Sequence, residues 1–364
     1  MRNAGLASFA AASAALAGCS AGPLLSRSAN DVGAVLQPIS QSNVVDARAD
    51  FRRQYCLVNE DHGASFPDYR ECEEALYRLA DESAPSNGFE PALEFRNHIR
   101  VIVIPGIFGE CLIDEISPFH DAIAHLNQYE AVTAEVLTAV RGRASSEFNA
   151  HVIAQYLESL QLGNGEKLII VAYSKGTTDT LSYLGDQALS SPSVEKISAV
   201  VSIAGVVNGS PLADDANAFL KWLARVLPYD ECPTQDASGI DDLTRDRQFR
   251  RLSEIRLPEH IRYFSLPAFA ATESISRALE HSYRRLSLVD PRNDGQVVYY
   301  DSIIPGARLL GFANADHWAV ALPFSRHVEE LGFINRTIAR QADENAYPRE
   351  VLFEAIVRYV DSLL

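Results

Sequence analysis

Apolar positions along the chain come in two kinds of run. Short, unbroken stretches rich in β-branched residues recur at 101–104, 132–137, 167–172, 198–204, 261–266 and 307–312, which suits strands buried on both faces of a parallel sheet. Between them lie stretches of helical spacing, at 146–160, 177–189 and 349–364. Strands alternating with amphipathic helices predict an α/β fold, a mostly parallel, doubly wound sheet occupying residues 98–364. One connection, 206–260, is too long for a simple crossover and holds an amphipathic stretch at 218–227 with Phe219, Leu220, Trp222, Leu223 and Val226. Long insertions of this kind are often lids; a helical cover for the sheet edge would carry the same pattern.

Upstream of the sheet the periodicity changes twice. Residues 44–97 contain helix-like stretches at 47–55 and 69–80 and read as a small helical appendage packed on the main domain. Residues 19–43 are rich in Ser, Ala, Gly and Pro with no sustained period, as in a tether. The first 18 residues read as a signal peptide: Arg2 precedes an apolar run at 6–17 that is too short to span a bilayer. Leu16-Ala17-Gly18-Cys19 resembles the bacterial lipobox, which implies cleavage before Cys19 and a diacylglyceryl group on its thiol. The alternative is an ordinary cleaved signal with a chance cysteine. The lipobox reading anchors the mature chain to a membrane of the bacterial cell envelope, and Ser20, in place of the Asp that retains some lipoproteins at the inner membrane, favours the outer one.

Composition narrows the partners. A net charge of −16 without any Lys/Arg cluster excludes nucleic acid, because a polyanion needs a basic surface. Setting Cys19 aside leaves Cys56, Cys72, Cys111 and Cys232, an even number in a chain expected to meet an oxidising compartment. Proximity favours a Cys56–Cys72 bridge and leaves Cys111 with Cys232, for which two buried thiols are the alternative. The histidines lack zinc-binding spacings and there is no phosphate-binding glycine loop, so neither a metal nor a cofactor is expected.

The candidate chemistry starts from a serine. After the apolar run at 167–172 come Tyr173, Ser174, Lys175, Gly176 and Thr177, then a helical stretch. A nucleophile on so sharp a strand-to-helix turn needs small residues two before and two after it, here Ala172 and Gly176. The letter-perfect Gly18-Cys19-Ser20-Ala21-Gly22 lies across the signal cleavage site with no strand before it and is rejected. Downstream, Asp294 sits in a turn-prone Asn293-Asp294-Gly295 after one strand and His317 follows another, which is the order nucleophile, acid, base known for hydrolases whose serine sits on such a strand-to-helix turn. Asp290 competes for the acid role. Asp316 is disfavoured, since adjacent side chains on an extended loop point apart. Backbone N–H groups of Lys175 and of Ile107, in Pro105-Gly106-Ile107-Phe108-Gly109, are the expected oxyanion donors; the Lys175 side chain is expected at the solvent or the rim.

Over residues 100–364 the chain resembles the α/β-hydrolase superfamily and, within it, bacterial lipase-like and esterase-like members. The resemblance rests on 105–109, on the Ala172–Gly176 elbow, on Gly209-Ser210-Pro211-Leu212-Ala213-Asp214, on Asn293-Asp294-Gly295 and on Asp316-His317. Pro105 stands where many lipases have His, and Ala172 replaces the first elbow Gly. The resemblance implies a serine hydrolase, esterase-like or lipase-like, that cleaves acyl esters through an acyl-enzyme. The same machinery serves amidases, peptidases and acyltransferases, and a non-catalytic envelope scaffold on this fold is the rival from another class.

Overall fold

The computed structural model describes residues 43–79, 82–107, 109, 116–186, 192–215, 238–328, 336 and 339–364. The signal peptide, Cys19, the tether up to residue 42, Cys111, Cys232 and the amphipathic stretch 218–227 lie outside the described residues.

The β-branched runs form the central strands. Among the described residues the strands are, in chain order, β1 Val45–Asp46, β2 Ile99–Ile104, β3 Val132–Val136, β4 Lys167–Tyr173, β5 Ile197–Ile203, β6 Arg262–Leu266, β7 Ala268–Phe269, β8 Arg308–Leu309 and β9 Ala313–Asn314. Seven of them make one sheet in the order β1-β8-β6-β5-β4-β2-β3, with every pairing parallel; β7 and β9 pair separately. The described helices are α1 Arg48–His62, α2 Cys72–Ala75, α3 His120–Leu126, α4 Ser146–Ser159, α5 Lys175–Gly185, α6 Ser238–Asp241, α7 Arg245–Glu254, α8 Glu280–Leu286 and α9 Arg349–Asp361.

Alternation along the central strands explains why they are apolar throughout. Val101 and Val103 of β2, with Ile169 and Val171 of β4, face a core shared with Phe51 and Tyr55 of α1 and Phe353 and Ile356 of α9. Ile102, Ile104, Leu168 and Ile170 point the other way, onto Ile153 and Leu157 of α4 and Tyr183 and Leu184 of α5. A strand covered on both faces has no side left for polar residues. Full burial of each large apolar side chain contributes roughly 1.5–3 kcal/mol, so this doubly covered sheet is the main source of stability.

Three expectations are revised. Residues 44–97 do pack helices on the main domain, but they also supply the edge strand β1, paired with β8, and put Phe51, Tyr55 and Val58 into the main core. The helix expected at 69–80 shrinks to α2, because the chain turns extended at Leu76. Tyr77 then donates its N–H to Phe312 O at 2.9 Å and stacks on Phe269 at 4.4 Å, contacts a local pattern does not encode. The strand expected at 307–312 keeps two paired residues, and beyond Leu310 the chain leaves for β9. The short loop between Cys56 and Cys72 is closed by a disulfide, as proximity suggested.

Candidate active site

Strand β4 ends at Tyr173, and α5 begins at Lys175, leaving Ser174 alone to make the turn, at φ 54° and ψ −126°. A non-glycine residue held there stores about 1–3 kcal/mol, and the surroundings impose it. Ser174 donates its N–H to Ile203 O at 3.2 Å, and its carbonyl accepts from Val206 N and Thr177 N, both at 3.1 Å. The crowding explains the small residues. A Cβ on Gly176 would lie 2.3 Å from Ile104 O and 2.6 Å from Pro105 O, and one on Gly106 would come 2.7 Å from Ser174 Cβ. Ala172, where a glycine is more usual, is fully buried. Gly205 has a role that sequence reading missed: its bare Cα lets Thr177 Oγ1 reach Ser202 Oγ at 3.0 Å.

Two loops from the same end of the sheet converge on this turn. Ser174 Oγ lies 2.8 Å from His317 Nε2, and His317 Nδ1 lies 2.6 Å from Asp294 Oδ2. The other Asp294 oxygen accepts the N–H groups of Gln296 at 2.8 Å and Val297 at 2.7 Å, in a turn that Gly295 makes affordable at φ 91°. His317 N donates to Asp294 O at 2.8 Å, and the Tyr173 hydroxyl donates to His317 O at 2.7 Å. Thus the imidazole is fixed by its backbone as well as its ring. Burial pushes the Tyr173 phenol well above its ordinary range, so it serves as a neutral donor.

The competing acids are placed elsewhere. Asp316 accepts from Trp318 N at 2.9 Å, Ala319 N at 2.7 Å and Ser276 N at 2.9 Å, anchoring the loop rather than the ring; burial pushes its carboxyl up. Asp290 pairs with Arg292 at 2.8 Å. Ser174, His317 and Asp294 are 3%, 2% and 1% exposed, shielded enough for charge interactions among them to be stronger than in water.

Of the two expected oxyanion donors, Lys175 opens α5, where the first-turn N–H groups have no acceptor within the helix. Ile107 follows Gly106 on the loop that presses against Ser174, and its side chain packs beside Val206, Ala213, Leu243 and Val297. The Lys175 side chain corrects an expectation: it is fully buried, not at the rim, with Nζ 2.6 Å from Asp179 Oδ1. Asn149 Nδ2 holds the other Asp179 oxygen at 2.8 Å. Burial raises the Asp179 carboxyl despite the adjacent ammonium. The motif at 209–214 buttresses the acid loop, through Ser210 Oγ donating to Gln296 O at 2.6 Å.

No protein-family model and no curated protein matches the sequence. Solved structures do. The metagenomic carboxyl esterase MGS0156 is similar at 35% identity and TM-score 0.80, over 94% of this chain and 98% of that one. Bacillus licheniformis lipase BlEst2 in its mature form aligns at 21% identity and TM-score 0.50, over 63% of this chain and 89% of its own. Staphylococcus hyicus lipase does so at 14% and 0.51, over 75% and 98%; these two share the fold. With the first of these similarities spanning nearly the whole of both chains, the protein belongs to the carboxyl esterases of the α/β-hydrolase superfamily.

Proposed function

We propose that ester cleavage runs through an acyl-enzyme on Ser174. His317 Nε2 takes the Ser174 proton as Oγ attacks the ester carbonyl carbon. Asp294 keeps the Nδ1 proton facing it, so that Nε2 carries the accepting lone pair, and it stabilises the imidazolium once formed. The backbone N–H groups of Lys175 and Ile107 receive the tetrahedral oxyanion. Collapse expels the alcohol with the proton from His317, and water repeats the sequence to release the acid. The observation that carries this reading is the unbroken relay of 2.8 Å and 2.6 Å from Ser174 through His317 to Asp294.

An apolar acyl group is the favoured substrate part, supported by the packing of Ile107, Val206, Ala213, Leu243 and Val297 into one cluster, in which Val206 donates its N–H to Ser174 O and Val297 donates its N–H to Asp294. Hydrolysis of p-nitrophenyl esters from acetate to palmitate, by the chain from Ser20 onward, tests both points. Activity abolished by Ser174→Ala with an optimum above acetate is expected; folded protein inactive on every ester would overturn the reading.

The lipobox-like Leu16–Cys19 segment supports attachment of the mature chain to the envelope, at the outer membrane, through Cys19. Among the described residues no helix is long and apolar enough to cross a membrane. Mass spectrometry of the N-terminal peptide should find a diacylglyceryl adduct on Cys19, and an unmodified Cys19 in mature protein would refute the anchor.

A further inference from the structure

A second cluster of chemically able side chains lies on α1, α3 and α9, none of which carries a triad residue. His62 ends α1, His125 is in the last turn of α3, and Glu354 is in the middle of α9. Glu354 Oε2 lies 2.8 Å from His62 Nε2 and 2.5 Å from His125 Nε2, and the three ligand atoms fall within 4.8 Å of one another. Glu354 is fully buried, whereas the two imidazoles are 20% and 12% exposed, so solvent reaches the cluster from the histidine side.

The surroundings are organised around that shared oxygen. The other carboxylate oxygen of Glu354 is held by Arg358 Nε at 2.6 Å and the Tyr129 hydroxyl at 3.2 Å, which fixes the plane and leaves Oε2 to the histidines. Behind His62, Asp61 Oδ2 lies 2.8 Å from Nδ1. Phe66 packs edge-on against both rings, at 5.7 and 4.8 Å. A neutral imidazole that donates Nδ1–H to Asp61 presents a lone pair at Nε2, and a lone pair aimed at a carboxylate oxygen is repulsive unless a proton or a metal cation lies between them. Two imidazoles, one anchored carboxylate and a second carboxylate orienting a ring from behind are the donor set of a zinc-type site.

We propose that His62, His125 and Glu354 bind a divalent transition-metal ion of the zinc class, with water completing a tetrahedron, and that the ion staples α1, α3 and α9 together. Zinc at about 2.0–2.2 Å from each donor needs donors roughly 3.3 Å apart, so each ring retreats from Glu354 Oε2 by about 0.5–0.8 Å, and the two Nε2 atoms, within 4.8 Å of one another, adjust to the same spacing. Arg358 offsets one of the two carboxylates, which leaves the site with neutral imidazoles net negative and attractive to a cation.

The test uses the full chain, purified in detergent without a polyhistidine tag, stripped with a chelator and titrated with Co²⁺ and then Zn²⁺. Expected are one Co²⁺ per chain with visible d–d absorption, displacement by Zn²⁺, and a Tm about 5 °C higher at a hundredfold excess over Kd. His125→Asn should weaken binding about 100-fold or more. Asp61→Asn, on an exposed side chain that the fold does not need, should weaken it about tenfold. Folded wild-type protein that takes up no stoichiometric Co²⁺, as when a proton alone bridges the cluster, would overturn the proposal. So would binding that Asp61→Asn and every folded His125→Asn preparation leave unchanged.

Discussion

Replacing Asp294 by Asn is the sharpest test of the triad, because the structure dictates how the amide must sit. Asp294 Oδ1 accepts two backbone N–H groups, from Gln296 at 2.8 Å and Val297 at 2.7 Å. An amide NH₂ in that place would face two donors, so the Asn oxygen must occupy it and the NH₂ must occupy the Oδ2 place, 2.6 Å from His317 Nδ1. His317 Nδ1 then has to accept, which moves its proton to Nε2 and aims that proton at Ser174 Oγ. The base is thereby blocked. The loss in kcat should be about 10³–10⁴-fold, or about 4–5.5 kcal/mol of transition-state stabilisation. Since both backbone bonds survive, stability should change by no more than about 1 kcal/mol. Steady-state hydrolysis of a p-nitrophenyl ester, with denaturant unfolding alongside, measures both quantities. Activity within tenfold of wild type in a folded Asp294→Asn variant would refute the assignment, and so would an equal loss in Asp290→Asn, whose carboxylate is committed to Arg292.

Three further outcomes follow from the same geometry. Gly176→Ala puts a Cβ 2.3 Å from Ile104 O and 2.6 Å from Pro105 O, backbone atoms of the central strand and the loop after it, and should cost about 3 kcal/mol in urea unfolding together with most of the activity. Lys175→Met keeps the backbone N–H but strips the buried Asp179 of its ammonium partner 2.6 Å away; a loss of about 3–5 kcal/mol is expected, largely recovered in the double variant with Asp179→Leu, and recovery that fails to appear in unfolding curves would refute the pairing argument. Paired Cys56→Ser and Cys72→Ser substitutions open a loop of sequence separation 16 and should lower stability by about 3 kcal/mol, a figure that unchanged unfolding midpoints would contradict.

What the sequence by itself determined is the part of the protein encoded locally. An unbroken β-branched run can be buried only between two layers, so β2, β4 and β5 and the alternation with α4, α5 and α9 were legible from pattern alone. The turn at Ser174 was legible too, because small residues at 172 and 176 leave room that no larger side chain could share. The order Ser174, Asp294, His317 along the chain carried the rest of the site, since each falls on a loop after a strand.

Contacts between distant segments were decided only by the tertiary structure. Asp316, one residue from His317, spends its carboxylate on three backbone N–H groups, while Asp294, 23 residues away, reaches the ring. Adjacency to His317 disfavours Asp316 in the sequence, but only the fold shows the backbone N–H groups that its carboxylate holds instead. Lys175 looks like a surface residue in sequence, yet folding α4 against α5 surrounds it and supplies Asn149 to its partner Asp179. The short run at Val45–Asp46 carries no strand signal of its own and becomes β1 because β8 offers it an open edge. His62 and Glu354, 292 residues apart, come within 2.8 Å only once α1 and α9 pack together. Periodicity reports what one segment must bury; which partner it meets there depends on the fold that all segments complete together.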